Sequence, residues 1–419
     1  MKSATLVLAI GILCVSAHGA EPAESPAYKH PSYLERLVTT EQAVAKVDAG
    51  NVAARQASLQ ALATARSWVG DEKGALDAWA SMSPNYRRDA PPVPSAEDFE
   101  YASSTLAGFA PRPAIDTILR AAKDRQIVIL NEAHHVARHR AFATLLALEL
   151  RKRGFQYLAV ETLTAESNAA GLLQRRYPKA TDEDGYYSQE PVFGDFLRQA
   201  MRAGYVPVAY EWKSVDIQDA YLRQEAREDG EAENLNRVLG QNPGARMFIF
   251  VGYAHAYKGM SEVRGKPLAL MAERLRAKTG IDPLVIEQTR LIQPATSTRN
   301  PALIDAAFKG RREESLILVS RTAPAEFYSF DKTKADMTLF HRPTRLVKGR
   351  PDWLAMAGYR RPRPIPAELL PSSGRRLVQA FYAAEPADAV PVDQVLVSAG
   401  EPPPVFMLPK GKFRFAFQE

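Results

Sequence analysis

The chain has 419 residues, 46% of them hydrophobic and 24% charged, an ordinary globular composition that excludes a disordered or fibrous chain and leaves room for two or three structural units. Its single cysteine, Cys14, lies in an apolar N-terminal run that reads as cleaved, which removes a cysteine nucleophile, a disulfide framework, a Cys-ligated zinc finger and an iron–sulfur cluster from the mature protein. The net charge of +6, which becomes +5 once Lys2 is gone, is spread along the chain without a Lys/Arg block and gives no sign of a nucleic-acid partner.

Residues 1–20 are expected to be a signal peptide: Lys2, an apolar stretch over 4–15, then small residues that allow cleavage after Gly19 or Ala20. The stretch is too short to span a bilayer, and no later apolar run reaches the roughly 20 residues a crossing needs. The mature protein is therefore expected to be soluble and periplasmic or secreted.

Residues 21–95 read as a helical N-terminal region, with apolar residues at three- and four-residue spacing through Leu37, Val44, Leu59, Leu62, Ala65 and Val69. The segment 70–79, with Gly70, Ala75 and Trp79, resembles the second helix of a tetratricopeptide hairpin. No second copy follows, so a helical cap on the main domain is expected in preference to a partner-binding adaptor. A proline-rich linker at 89–94 leads into an α/β pattern over 96–345.

Strands are expected at 126–130, 157–160, 206–210, 247–251, 284–286 and 316–319. Helices are expected at 139–153, ending at Gly154, and around 195–202, 217–239 and 268–278. This alternation implies a mainly parallel sheet covered by helices on both faces. Residues 346–419 read as a proline-rich, irregular extension ending in a β-hairpin around Lys410-Gly411.

In open parallel sheets, ligands bind beyond the carboxyl ends of the strands. The first four expected strands run into Asn131-Glu132-Ala133-His134-His135, Glu161, Glu211 and Gly252-Tyr253-Ala254-His255. Chance is a poor explanation, because only six histidines remain after residue 20 and three of them lie in these motifs. Imidazole exchanges protons near neutral pH and ligates metals, while carboxylates orient imidazole or water and bind hard cations. Glu132, His134 or His135, Glu161 and His255 thus suit activation of water for hydrolysis, with or without a divalent metal. Glu211 is equally well read as a cap or arginine partner, and Glu287 better so. His139 follows His135 at helical ligand spacing, but the glutamate a zincin needs is missing, so it is expected at the surface or behind the site. His30 and His341 receive no role. The chain has no G-x-S-x-G elbow, no phosphate-binding G-x-x-x-x-G-K and no dinucleotide turn after the first strand, which disfavours ATP-dependent and nicotinamide chemistry.

The stretches 127–135 and 154–161, with Gly252-Tyr253-Ala254-His255, resemble the erythromycin-esterase-like and ChaN-like superfamily, which includes Tiki-type metalloproteases. Arg227-Glu228-Asp229-Gly230-Glu231-Ala232-Glu233-Asn234 is similar to a helix of the erythromycin-esterase branch. Asn131 stands where the family has glycine, and the tandem His134-His135 satisfies both family spacings after Glu132. The esterase-like spacing favours His135. The resemblance, over about residues 110–325, implies an exported α/β hydrolase acting on an ester, lactone or peptide. In it His135 would be the general base, Glu132 or Glu161 would orient it, His255 would support the site, and Arg227 would neutralise a carboxylate or the oxyanion. A divalent metal would take His134, Glu161 and His255. The ChaN-like branch implies the alternative of a non-catalytic haem-binding protein linked to iron acquisition, with Tyr187 and Tyr253 as the nearest candidates beside Tyr186 and Tyr257.

Overall fold

The computed structural model describes residues 32–419 except 49, 84, 91, 182, 183 and 214. The expected signal peptide, Cys14 and His30 lie outside the described residues. Three helices come first: α1 (Tyr33–Lys46), α2 (Val52–Trp68) and α3 (Glu72–Ala80). The α/β part follows with α4 (Ala96–Gly108), β1 (Phe109–Pro113), α5 (Ala114–Ala121), β2 (Ile127–Glu132), α6 (Ala137–Lys152), β3 (Tyr157–Val160), α7 (Glu166–Arg175), α8 (Pro191–Arg202) and β4 (Val206–Val208). It continues with α9 (Ala220–Gln241), β5 (Met247–Gly252), the hairpin β6 (Met260–Val263) and β7 (Lys266–Ala269), α10 (Met271–Thr279), β8 (Leu284–Glu287), α11 (Arg299–Phe308), β9 (Ser315–Ser320) and β10 (Met337–His341).

One eight-stranded sheet organises this part, in the order β1-β9-β10-β8-β2-β5-β3-β4. The six strands from β10 to β4 pair in parallel, and β9 and β1 add antiparallel pairings at the far edge. β2 and β5 are buried along their whole length, which is why they read as unbroken apolar runs. Ile118, Phe142, Leu146, Phe193 and Phe196 from α5, α6 and α8 pack on one face of the sheet, and Leu235, Leu239, Met271 and Leu275 from α9 and α10 on the other. Local signals start and stop these helices: a Ser95–Asp98 capping box opens α4, Asp219 caps α9, and Gly154 at φ 86° follows α6. The mainly parallel sheet with helices on both faces is as expected, while β1, β6, β7, β10, α4, α5, α7 and α11 lie outside the expected elements.

Two expectations about the flanks need correction. The 346–419 region is not irregular but folds into β11 (Leu346–Val347), β12 (Arg350–Pro351), β13 (Arg361–Pro364), β14 (Arg375–Tyr382), β15 (Asp393–Ser398), β16 (Val405–Leu408) and β17 (Phe413–Gln418). β16 and β17 flank Lys410-Gly411, yet they do not form a hairpin: β16 pairs with β13, and β17 joins β14 and β15. Gly70 joins α2 and α3, which pack on each other. It sits at φ 76° in the turn before α3, where a Cβ would come within 2.8 Å of the Gln394 carbonyl. The N-terminal helices are interlocked with the C-terminal strands, because Tyr33, Leu37, Trp68 and Val69 share a core with Leu377 and Leu396. Gln394 Nε2 also donates to the Trp68 carbonyl at 2.7 Å. No helix among the described residues is long and apolar enough to cross a membrane.

Candidate functional site

β2, β5, β3 and β4 are consecutive in the sheet, so the four strand-end motifs emerge side by side at one edge. Glu132, the last residue of β2, is buried against Arg140 of α6, whose Nε and Nη2 donate to its two oxygens at 2.6 and 3.0 Å. Glu132 Oε1 also lies 2.9 Å from His134 Nδ1. Burial alone would raise the Glu132 pKa, but Arg140 and His134 outweigh it and hold the carboxyl at about 2. An ionised Glu132 can only accept, so the His134 nitrogen that meets it, Nδ1, carries a proton. Arg140 is fully buried and also donates to Glu190 Oε2 at 3.1 Å, while Glu190 caps α8 through the amides of Val192 and Phe193.

The His134 ring and Glu161 both close on Gly252. A Cβ on Gly252 would lie 2.5 Å from His134 Cε1, 2.6 Å from Glu161 Oε2 and 2.7 Å from His134 Nε2. Only glycine lets the two groups close over the end of β5, and its amide donates to Glu161. Glu161 Oε1 accepts from Arg227 Nη2 at 2.9 Å. Burial opposes its charge, yet His134, His255 and Arg227 together lower its pKa. Arg227 also donates from Nε to Glu231 Oε1 at 2.6 Å, lies 3.6 Å from Glu211 Oε2, and places Nη1 3.4 Å from His255 Nε2. His255 Nδ1 sits 2.7 Å from Glu228 Oε1. Burial disfavours the imidazolium, but Glu228, Glu161 and Glu231 prevail and push His255 up to about 9. Burial raises Glu211 to about 7, with Glu161 adding to the effect. Glu211 also lines an open cleft with Thr164, Trp212, Asn234 and Arg237.

Glu132, His134, Glu161, Arg227 and His255 are therefore brought together, and His135 is not. The His135 ring stacks on Trp79, its Nδ1 lies 3.4 Å from the Tyr253 hydroxyl, and it lines a cavity with Trp68, Glu72, Glu190 and Trp353. Burial, with the charges of His134 and Arg140, lowers its pKa to about 3. The preference for His135 is corrected by the chain direction out of β2, which turns the first histidine into the site and the second behind it. His139 is buried rather than at the surface, and its Nδ1 accepts from the Ala133 amide at 3.0 Å. His341 joins Gln288 and Ser315 at 2.9 Å each. Glu287 is a turn cap, accepting from Thr289 and Arg290 amides at 2.5 and 2.9 Å.

Tyr187 stacks on His134 at 3.7 Å, and Tyr253 meets the same ring edge-on at 5.0 Å. Tyr186 is exposed and packs on Trp68, while Tyr257 is half-buried. Asn131, in the family's glycine position, donates to the Tyr253 carbonyl at 3.0 Å and accepts from the Gln288 amide at 2.8 Å. Arg140 and Glu190 have no place in the sequence-based site, Glu228 enters there only within the helix motif, and Trp79 only as a helix-packing aromatic. Arg140 is findable as a cation in the first turn of the helix that follows Glu132, whereas nothing near Trp79 in the sequence points to this site.

Two donor sets could be asked to hold a divalent ion, and they differ in how far their atoms are already engaged. Of His134, Glu161 and His255, the last two already meet the Arg227 guanidinium, which donates to Glu161 and contacts His255 Nε2. Glu228, Glu231 and His255 also offer three ligand atoms within 4.8 Å of one another. Both Glu228 oxygens are engaged, by Gln224 and His255 on one side and the Met271 amide on the other, and Glu231 Oε1 holds Arg227. Glu231 Oε2, however, is buried without a hydrogen-bond partner, and His255 Nδ1 has only its ion-pair contact with Glu228, so this trio keeps donor atoms that would suit a divalent ion.

No family model and no curated protein matches the chain. Solved structures that match include a chain described as bacterial protein toxins, 16% identical over 56% of this chain and 46% of that one, with a TM-score of 0.32. The type III effector HopBA1 is 17% identical over 43% of this chain and 86% of its own, with a TM-score of 0.31. The MARTX toxin effector domain RRSP from Vibrio vulnificus CMCP6 is 17% identical over 62% and 46%, with a TM-score of 0.32. The chain thus spans about half the length of the first and third of these. None of the three is described as an erythromycin esterase or a ChaN-like protein, and at these scores none defines the site.

Proposed function

We propose that the protein is an exported hydrolase that activates water at a Glu132–His134 pair to open an ester, lactone or peptide bond. The observation that carries this reading is His134 itself: Glu132 fixes its Nδ1 proton, and its ring and the Arg227-bound Glu161 close together over Gly252. In the reaction, His134 Nε2 takes a proton from water as the oxygen attacks the carbonyl carbon, and then returns that proton to the leaving group. Arg227 and the cationic His255 stand where negative charge on the carbonyl oxygen would be stabilised. Substrate would enter by the cleft beside Glu211, and export rests on the expected signal peptide.

The test is hydrolysis of a panel of esters, lactones and peptides by the wild type, His134→Ala and His135→Ala. His134→Ala should lose about 10²–10⁴-fold in turnover, the usual worth of a positioned general base, without a matching drop in Tm. Wild-type rates in His134→Ala would end this reading, and a larger loss in His135→Ala would return the role to the second histidine.

A further inference from the structure

The helices that precede the α/β part reach the site through one side chain. Trp79, in the last turn of α3, lies flat on the His135 ring, with centroids 4.0 Å apart and planes 12° apart. The same indole is parallel to Tyr253 at 5.6 Å and 11°. His135 Nδ1 and the Tyr253 hydroxyl are 3.4 Å apart, so the indole covers two rings joined edge to edge. Tyr253 in turn stands perpendicular to His134, at 5.0 Å and 90°.

Tyr253 needs holding. Its φ of 43° is a left-handed conformation that a residue with a Cβ adopts at a cost, and such strain persists only where the surroundings over-determine it. Asn131 fixes its carbonyl, and the indole fixes its ring. Trp79 is itself held in place by the opposite end of the chain. Glu72, at the start of α3, accepts from Trp353 Nε1 at 2.8 Å and from the Thr344 hydroxyl at 3.2 Å. The turn before it is closed by the Leu396 amide on the Val69 carbonyl at 3.1 Å. Two flanking regions with no catalytic signature thus converge on one indole beside the candidate base.

We propose that Trp79 is a positioning residue: by clamping the His135–Tyr253 pair it holds Tyr253 against His134 and fixes the imidazole that faces Glu161. Its catalytic consequence rests on the hydrolase reading above, but its effect on His134 does not. The test therefore has an arm that needs no substrate. Full-length protein labelled with ¹⁵N-histidine reports the His134 ring nitrogens directly, in the wild type, Trp79→Leu, Trp79→Phe and Tyr253→Phe. Trp79→Leu and Tyr253→Phe should shift the His134 ring-nitrogen signals, and Trp79→Phe, which keeps a flat ring, should restore them.

In the turnover arm, Trp79→Leu should lower kcat by about tenfold or more with KM within about twofold, the signature of a misplaced group rather than a lost contact. Unmoved His134 signals in Trp79→Leu and Tyr253→Phe would overturn the proposal, as would a raised KM at constant kcat. If Trp79→Leu does not fold, Tyr253→Phe, which removes only the hydroxyl, decides by the same spectrum. If the wild type turns over no member of the panel, the hydrolase reading fails alone and the nitrogen spectra still judge Trp79.

Discussion

The candidate base is defined by the company its neighbours keep. His134 and His135 are identical in chemistry and adjacent in sequence, yet one is joined to an ionised carboxylate and faces the cluster, while the other is buried in an aromatic stack. What separates them is Arg140, which makes Glu132 a permanent anion. Arg140 also carries half of a second buried pair with Glu190, so its removal strands two carboxylates where water cannot reach. Breaking a buried pair by deleting one partner typically costs about 3–5 kcal/mol. Arg140→Met, which keeps the length and the apolar stem, should therefore lower unfolding stability by that amount in a urea titration. The double variant Arg140→Met/Glu132→Gln should recover part of the loss, because the first stranded charge is gone. A single variant within about 1 kcal/mol of the wild type, the usual worth of an exposed pair, would mean that Glu132 is solvated and does not fix His134.

At the scale of elements, the sheet edge was legible because buried parallel strands are apolar runs and their last residues break the pattern. Glu132, Glu161 and His255 stood out for that reason, and all three lie in the cluster. The C-terminal strands are hidden in the sequence because their prolines read as irregular chain. Prolines 362 and 364 lie in β13, which pairs only with β16 and so tolerates missing amides. The choice between two histidines was not legible, since a one-residue offset after a strand is decided by the turn and not by composition. Gly252 shows how an element-level constraint becomes chemistry. The residue ends β5 with ordinary negative φ, so its need for glycine is purely one of space. Gly252→Ala puts a methyl within 2.5–2.7 Å of His134 and Glu161, and the side chains must part before the backbone does. Displacing a catalytic group by about 1 Å can cost about 10²-fold in rate. We expect that loss in turnover from Gly252→Ala, with far-UV circular dichroism unchanged. Retained turnover would show that the His134–Glu161 approach is dispensable.

For the whole molecule, stability against pH is set by histidines buried in two opposite ways. His341 lies behind the sheet edge, where burial and the charge of Arg138 hold its pKa well below the ordinary value. In the unfolded chain it takes a proton near pH 6.5, and in the folded protein it does not. The unfolded state then binds more protons, so His341 subtracts stability as pH falls below about 6.5. His255 has the opposite sign. Its folded pKa, pushed up to about 9 by Glu228, Glu161 and Glu231 against the effect of burial, lies above its unfolded one. The stability it contributes is fully present below about pH 6.5 and is lost as pH rises through 9. Other groups titrate over the same range, so the comparison is made by difference, each variant subtracted from the wild type at every pH. His341→Gln should gain on the wild type steadily as the medium is acidified from pH 6.5 to 4.5. His255→Gln should be most inferior to the wild type below pH 6.5 and converge on it by pH 9 to 10. Urea midpoints across this range check both slopes. Parallel curves for His255→Gln and the wild type would mean that His255 is neutral in the fold, and would leave Arg227 as the one cation placed to meet an oxyanion among the described residues of the cluster.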